Sequence, residues 1–368
     1  MNNLLVDSSP SKEFFINMIT KDVTVESCIL DLIDNSIDSH KKKKKNQTSE
    51  IDICFSTEKD FFSIKDNCGG MTKEIAQNKA FRFGNSEIRV DGTLGMYGIG
   101  MKRSIFKIGK NFLVESKTDT DSFKVYMDQK EWLDLKDEGN TESWKFHLDD
   151  CDLTFENGVH ITINQLNDSF KSYLKWSKNI ATLKQKIASA YKEVIKEDVT
   201  IRVNGERIVY SSDVLYESAD LKSYINTIDT KNAKIKIIAG IGTPSPRDAG
   251  WNIICNGRTV IEKDRTELTG WESSYSIDDD SELDMKLEKG GKTIPAFHND
   301  FARFRGFVYI ESENANDLPL NTTKDGIDRQ HPIYELIYNE MISIMKKILP
   351  SLRKLQEIVR NCKNEMTV

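Results

Sequence analysis

The sequence predicts an α+β protein, a two-layer sandwich with helices packed on a largely antiparallel sheet. Two observations carry this. Stretches of alternating apolar residues, such as "EIDICFS" with Ile51, Ile53 and Phe55, recur through the first half and read as strands. Helical segments interrupt them without the strict strand–helix alternation of a parallel sheet. The 368 residues make two domains the natural expectation. Hydrophobic residues form 38% of the chain and charged residues 30%, which suits a globular protein in water.

In chain order, an arm over 1–20 leads into a helix at 22–39. That helix stops at "SHKKKKKNQTSE", where Lys41 to Lys45 read as a solvated loop. A strand at 51–55 follows. "DFFSIKDNCGGMTKE" is then a strand, a glycine turn and a helix starting at Thr72. A glycine-dotted stretch from 83 to 100 opens the helix "MKRSIFKIG", and strands are expected at 111–117, 122–128, 143–148 and 158–164. From about 166 the pattern changes. "SYLKWSKNIATLKQKIASAYKEVI" is helical, "VTIRVNGERIVY" is a hairpin with an Asn-Gly turn, and "WNIICNGRTVIEK" and "FRGFVYIES" are strands. The second part reads as strands crossed by helices. "PIYELIYNEMISIMKKI" is an amphipathic helix ended by Pro350, with a charged helical tail. The expected domains are 1–165, 166–331 and the tail 332–368.

The net charge of −6 argues against a general nucleic-acid coat. Six cysteines without a Cys-x-x-Cys pair read as free thiols in a reducing compartment. No run of about 18 apolar residues spans a membrane. The expected location is the cytoplasm, with no membrane partner.

Three short stretches carry chemistry. "LDLIDNSIDS" places Asp31, Asp34, Asn35 and Asp38 on an otherwise apolar helix, against the repulsion of like charges one turn apart. Asn35 offers a hard, neutral oxygen suited to Mg²⁺ beside phosphate. Asp31, one turn earlier, is placed to take a proton from water. "DNCGGM" ends a strand in Asp66, a carboxylate able to accept from an exocyclic amine such as that of adenine. Its Gly69 and Gly70 bring backbone close, and Met71 is an apolar wall. "GMYGIGMK" opens a helix with Gly95, Gly98 and Gly100. Unpaired N–H groups there favour an anion, and Lys102 adds a point charge.

In this order the three stretches resemble the boxes of the GHKL ATPases: DNA gyrase, the heat-shock chaperones, histidine kinases and the mismatch-repair ATPases. "LDLIDNSID" is similar to their N box, and "DNCGGM" and "GMYGIGMK" to their two glycine boxes. "FGNS" at 83–86 resembles the same stretch of MORC-type members. The resemblance implies a Bergerat-type ATP site in the two-layer sandwich over 1–165, with ATP and Mg²⁺ as cofactors. Asn35 would be the metal ligand. Asp38, Asp66, Gly70, Met71, Gly84, Gly95, Tyr97, Gly98, Ile99, Gly100, Met101, Lys102 and Thr162 would join it in binding the nucleotide. Asp31 would be the general base, where the family usually has Glu, and Glu26 is the alternative or helper. "NGVHITI" puts Val159 where the family often has Thr.

"KIASAYKEVIKEDVTIRVNGERI", "NGRTVI" and "LPLNTTKDGID" resemble a transducer, a smaller α/β domain whose loop lysine reaches the γ-phosphate. Lys324 matches that position. The resemblance implies ATP-driven closure of a homodimer that acts on a macromolecular partner, with a protein effector, DNA transactions and anti-phage defence as its settings. The acidic net charge gives DNA binding no support. A nucleotide-sensing scaffold without turnover is the alternative.

Overall fold

The computed structural model describes residues 10–42, 47–83, 99–135, 141–210, 214–218, 222–272, 294–321 and 323–365. The chain divides into two compact units, 1–210 and 211–368.

The first unit begins with helices α1 (Lys12–Thr20) and α2 (Val25–His40). The antiparallel strands β1 (Ser49–Ser56) and β2 (Phe61–Asp66) follow, and a short helix α3 (Lys73–Ile75) runs into a π-turn over Ala76–Ala80. Helix α4 (Gly100–Ile108) leads into β3 (Gly109–Lys117), β4 (Ser122–Asp128), helix α5 (Gln129–Asp134), β5 (His147–Asp150) and β6 (Gly158–Leu166). Helices α6 (Asp168–Leu174), α7 (Ser177–Ala190) and α8 (Lys192–Glu197) lead to β7 (Val199–Val203) and β8 (Glu206–Arg207). These strands form one sheet in the order β5-β4-β3-β6-β2-β1-β7-β8, antiparallel except where β7 runs parallel to β1. One sheet face is apolar. Ile51 and Ile53, Phe62 and Ile64, Phe112 and Val114, and Ile161 and Ile163 are buried there, as the period of two requires. Helices α2 and α4 pack against each other.

The boundary expected at 165/166 therefore lies inside this unit. Strand β7 completes the sheet beside β1, and the Tyr191 hydroxyl lies 2.8 Å from both the Leu30 carbonyl and Asp34 Oδ1 of α2. The expected hairpin is present, with Asn204 and Gly205 at φ 48° and 80°. The strand expected at 143–148 is displaced, because a 3₁₀ turn occupies Thr141–Trp144 and β5 starts only at His147.

The second unit is a five-stranded sheet of β9 (Tyr224–Asp229), β10 (Lys234–Ile241), β11 (Gly250–Cys255), β12 (Arg258–Asp264) and β13 (Phe304–Glu311), in the order β12-β11-β13-β10-β9. Its core holds Trp251, Trp271, Phe301 and Phe304. Among the described residues it has one long helix, α9 (Pro332–Glu365), and the helical stretch over 172–195 expected in this domain lies in the first unit as α6, α7 and α8. Helix α9 also runs through Pro350. A proline removes one backbone hydrogen bond, but buried Leu349 and Leu352 flank the position and hold the helix across the gap. Its Ile337, Met341, Ile344 and Met345 are buried, so the expected tail is part of this unit. No helix among the described residues is long and apolar enough to cross a membrane.

Candidate functional site

Helix α2 starts at a Thr24 cap whose side chain accepts from the Ser27 N–H. From Ser27 to Asp38 every residue is buried except Asn35, which is exposed. The acidic residues thus have different surroundings. Asp34 faces Tyr191. Asp38 is buried one turn beyond Asn35. Asp31, 1% exposed, accepts from Arg103 Nε at 2.9 Å and Nη2 at 2.6 Å, both on Oδ2. Glu26 does not join it. Its carboxylate lies 3.5 Å from Lys186 Nζ on α7, so it turns toward a different helix and is not placed to share the role of Asp31.

The end of β2 supplies the second element. Asp66 lies on the same sheet face as Phe62 and Ile64, toward the helices. Its Oδ2 accepts from the Ser36 hydroxyl at 2.6 Å, and its Oδ1 accepts from the N–H groups of Cys68 (2.8 Å) and Val159 (3.3 Å). Burial pushes the Asp66 carboxyl up from the usual aspartate range, and these three donors pull against that. Close behind, Gly70 (φ 74°) passes so near β3 that a Cβ on it would stand 2.1 Å from the Lys117 carbonyl oxygen. The buried Ser116 hydroxyl fastens the next residue: it accepts from the Met71 N–H (2.8 Å) and donates to the Met71 carbonyl (2.9 Å). Met71 is partly buried on this wall.

Helix α4 supplies the third. Among the described residues no side chain caps its first turn, and Ile99 is its flanking residue. A Cβ on Gly100 would stand 3.4 Å from Asp31 Cγ, so the start of α4 lies against the proposed base. Ile99, Gly100 and Met101 thus lie together with Asp31. Lys102 does not supply the expected free charge. It is buried, and its ammonium donates to the carbonyls of Ala80 (2.9 Å) and Arg82 (2.6 Å) over the face of Phe83. Burial lowers its pKa to about 8. The lysine closes the end of the π-turn instead of facing an anion.

Thr162 is also elsewhere. It pairs with Ser63 across β2 and alternates with buried Ile161 and Ile163, so it faces the opposite side of the sheet from Asp66, near His160. Gly84, Gly95, Tyr97 and Gly98 lie outside the described residues. Lys324 belongs to the second unit. It is buried at φ 55° in a tight loop where Asn321 accepts from the Lys324 N–H (3.1 Å) and, through Oδ1, from the Asp325 N–H (3.1 Å).

Arg103, Ser36 and Ser116 were missed by sequence reasoning. Arg103 had a signal. A cation in the first turn of a helix opposes the helix dipole, so it calls for an anionic partner. The two serines had none.

Among the described residues no three His, Cys, Asp or Glu side chains gather into a metal cage. The exposed amide oxygen of Asn35, at the edge shared with Asp31, nonetheless fits Mg²⁺. That ion takes one or two protein oxygens and completes its octahedron with phosphate and water.

Residues 23–152 match the family model described as histidine kinase-, DNA gyrase B- and HSP90-like ATPase. That span includes all three elements of the site. No curated protein matches the chain.

Proposed function

We propose, from the match of residues 23–152 to the histidine kinase-, DNA gyrase B- and HSP90-like ATPase family model, that this chain is a Mg²⁺-dependent ATPase that works as an ATP-gated switch. One observation carries the reading: a buried carboxylate, Asp66, a solvent-facing amide, Asn35, and a helix start at Gly100 stand on neighbouring elements of one sheet-and-helix layer. Asp66 would accept from the adenine amine, with Gly70 and Met71 against the base. The start of α4 would hold phosphate oxygens through its backbone N–H groups. Asn35 would hold Mg²⁺, which, when bound, offsets phosphate charge. Asp31 would take the proton from the attacking water.

Triphosphate binding would favour closure of a homodimer around a macromolecular client, a protein effector foremost. Anti-phage defence is a setting the resemblance suggests for such a switch. The second reading, a nucleotide sensor without turnover, is favoured by one observation: Asp31 Oδ2, the oxygen that would take the proton, already accepts two hydrogen bonds from Arg103.

Single-turnover assays with labelled ATP test both. Wild type should release phosphate, Asp31→Ala should bind ATP without releasing it, and Glu26→Ala should behave as wild type. ATP bound by wild type without phosphate release supports the sensor. Absence of ATP binding by wild type overturns both readings.

A further inference from the structure

Arg103 stands at an unfavourable place for a cation. It is in the first turn of α4, where the aligned peptide dipoles present positive charge. Its guanidinium is nonetheless fixed, with two donors on the single oxygen Oδ2 of a carboxylate that is almost wholly buried. The same oxygen lies 3.5 Å from the place of a Cβ on Gly100, so it also sits against the helix start. A guanidinium therefore donates to one anionic oxygen, and the start of a helix passes beside that oxygen. Both groups also suit phosphate, and a guanidinium can meet two phosphate oxygens with two parallel N–H donors.

We propose that the Asp31 carboxylate and the terminal phosphoryl group of a nucleoside triphosphate compete for Arg103, so that triphosphate binding transfers Arg103 from Asp31 to the phosphate and frees Oδ2. The inference rests on the ATP-site reading and adds to it a residue and a rule. A diphosphate lacks the group that draws Arg103 away, so it leaves the Asp31–Arg103 pair closed. The exchange makes and breaks only ion pairs. It links the freedom of the proposed base to the presence of the group it acts on.

The experiment is a double-mutant cycle on the full chain, read by calorimetry with Mg²⁺ and either ADP or a non-hydrolysable ATP analogue. Asp31→Asn removes the competing charge and should tighten analogue binding about tenfold while changing ADP binding little. In an Arg103→Gln background the same change should have no effect on the analogue. Unchanged or weakened analogue binding in Asp31→Asn overturns the proposal, as does an equal gain in both Arg103 backgrounds. Should Asp31→Asn fail to fold, the wild-type chain provides the test through the Arg103 side-chain N–H resonance, assigned by its loss in Arg103→Lys. That resonance should move with the analogue and stay in place with ADP. Movement with both or with neither overturns the exchange. Wild type that binds ADP and analogue but fails these criteria keeps the ATP site and loses the exchange, whereas wild type that binds neither loses both.

Discussion

Ser36 donates its hydroxyl hydrogen to Asp66 Oδ2 at 2.6 Å, and this bond ties the N-box helix α2 to the end of β2. It leaves the Asp66 carboxylate fixed from two sides, with Cys68 and Val159 N–H groups on the other oxygen. Ser36→Ala removes one donor from a buried carboxylate, a loss of about 1–3 kcal/mol. ATP binding by calorimetry should weaken roughly tenfold, while Asp66→Asn should abolish it. Wild-type affinity in Asp66→Asn would remove the adenine assignment.

The elevated Asp66 pKa gives a pH dependence with a definite sign. The folded state holds this proton at pH values where the unfolded chain has lost it. Stability therefore falls as pH rises from the ordinary aspartate range through the raised folded value. Nucleotide binding runs the other way, because the adenine amine needs an ionised acceptor. ADP binding in wild type should weaken as the pH falls through the raised folded value and Asp66 takes its proton. Denaturant unfolding over the same range should show a fall in stability with rising pH that Asp66→Asn lacks. Parallel profiles for the two proteins would exclude Asp66 as the source.

Lys102 should show a dependence on the alkaline side. Its pKa is lowered from 10.5 to about 8 by burial, so between these values the unfolded chain binds more protons than the folded one. Stability should rise as pH climbs from about 8 toward 10.5. The comparison is urea unfolding of wild type and Lys102→Met at several pH values, since other titrating groups cancel in the difference. Wild type should gain on the variant across that window. At pH 7 the variant should be the less stable, because the carbonyls of Ala80 and Arg82 lose their donor.

Much of this site was legible because its signals are local. The apolar spacing of α2, the Asp66 turn and Gly100 at the start of α4 each declare their backbone within a few residues. The bearing of individual side chains was not declared in that way. A helical wheel turns Glu26 away from Asp31, but only the placement of α7 supplies Lys186 as its neighbour. The outward face of Thr162 follows from parity with Ile161 and Ile163, and becomes decisive only once β6 is registered against β2. Lys102 was assigned to an anion because its partners, two carbonyls at the end of a π-turn, have no sequence signature. The unit boundary lay further on because β7 pairs with β1, a contact between distant parts of the chain. Pro350 stops a helix by local rule, yet buried Leu349 and Leu352 on either side carry α9 past it.

Gly69 and Gly70 separate two reasons for glycine in adjacent positions. Both have positive φ, 113° and 74°. A Cβ on Gly69 meets nothing within 4 Å, so Gly69→Ala carries only backbone strain, about 1–2 kcal/mol. A Cβ on Gly70 would overlap the Lys117 carbonyl oxygen at 2.1 Å, with the Gly158 carbonyl oxygen at 3.1 Å, and neither can move without displacing β3 or β6. Gly70→Ala should therefore cost more than Gly69→Ala, by about 2 kcal/mol or more, within the range of the largest single-substitution effects. It should also shift Met71 off its two bonds to Ser116 and so weaken ADP binding beyond the loss of fold. Thermal unfolding and calorimetry of the two variants side by side measure both effects. Equal stability would mean that β3 yields easily at Lys117. Equal stability together with equal ADP affinity would remove the close approach of this loop from the account of the site.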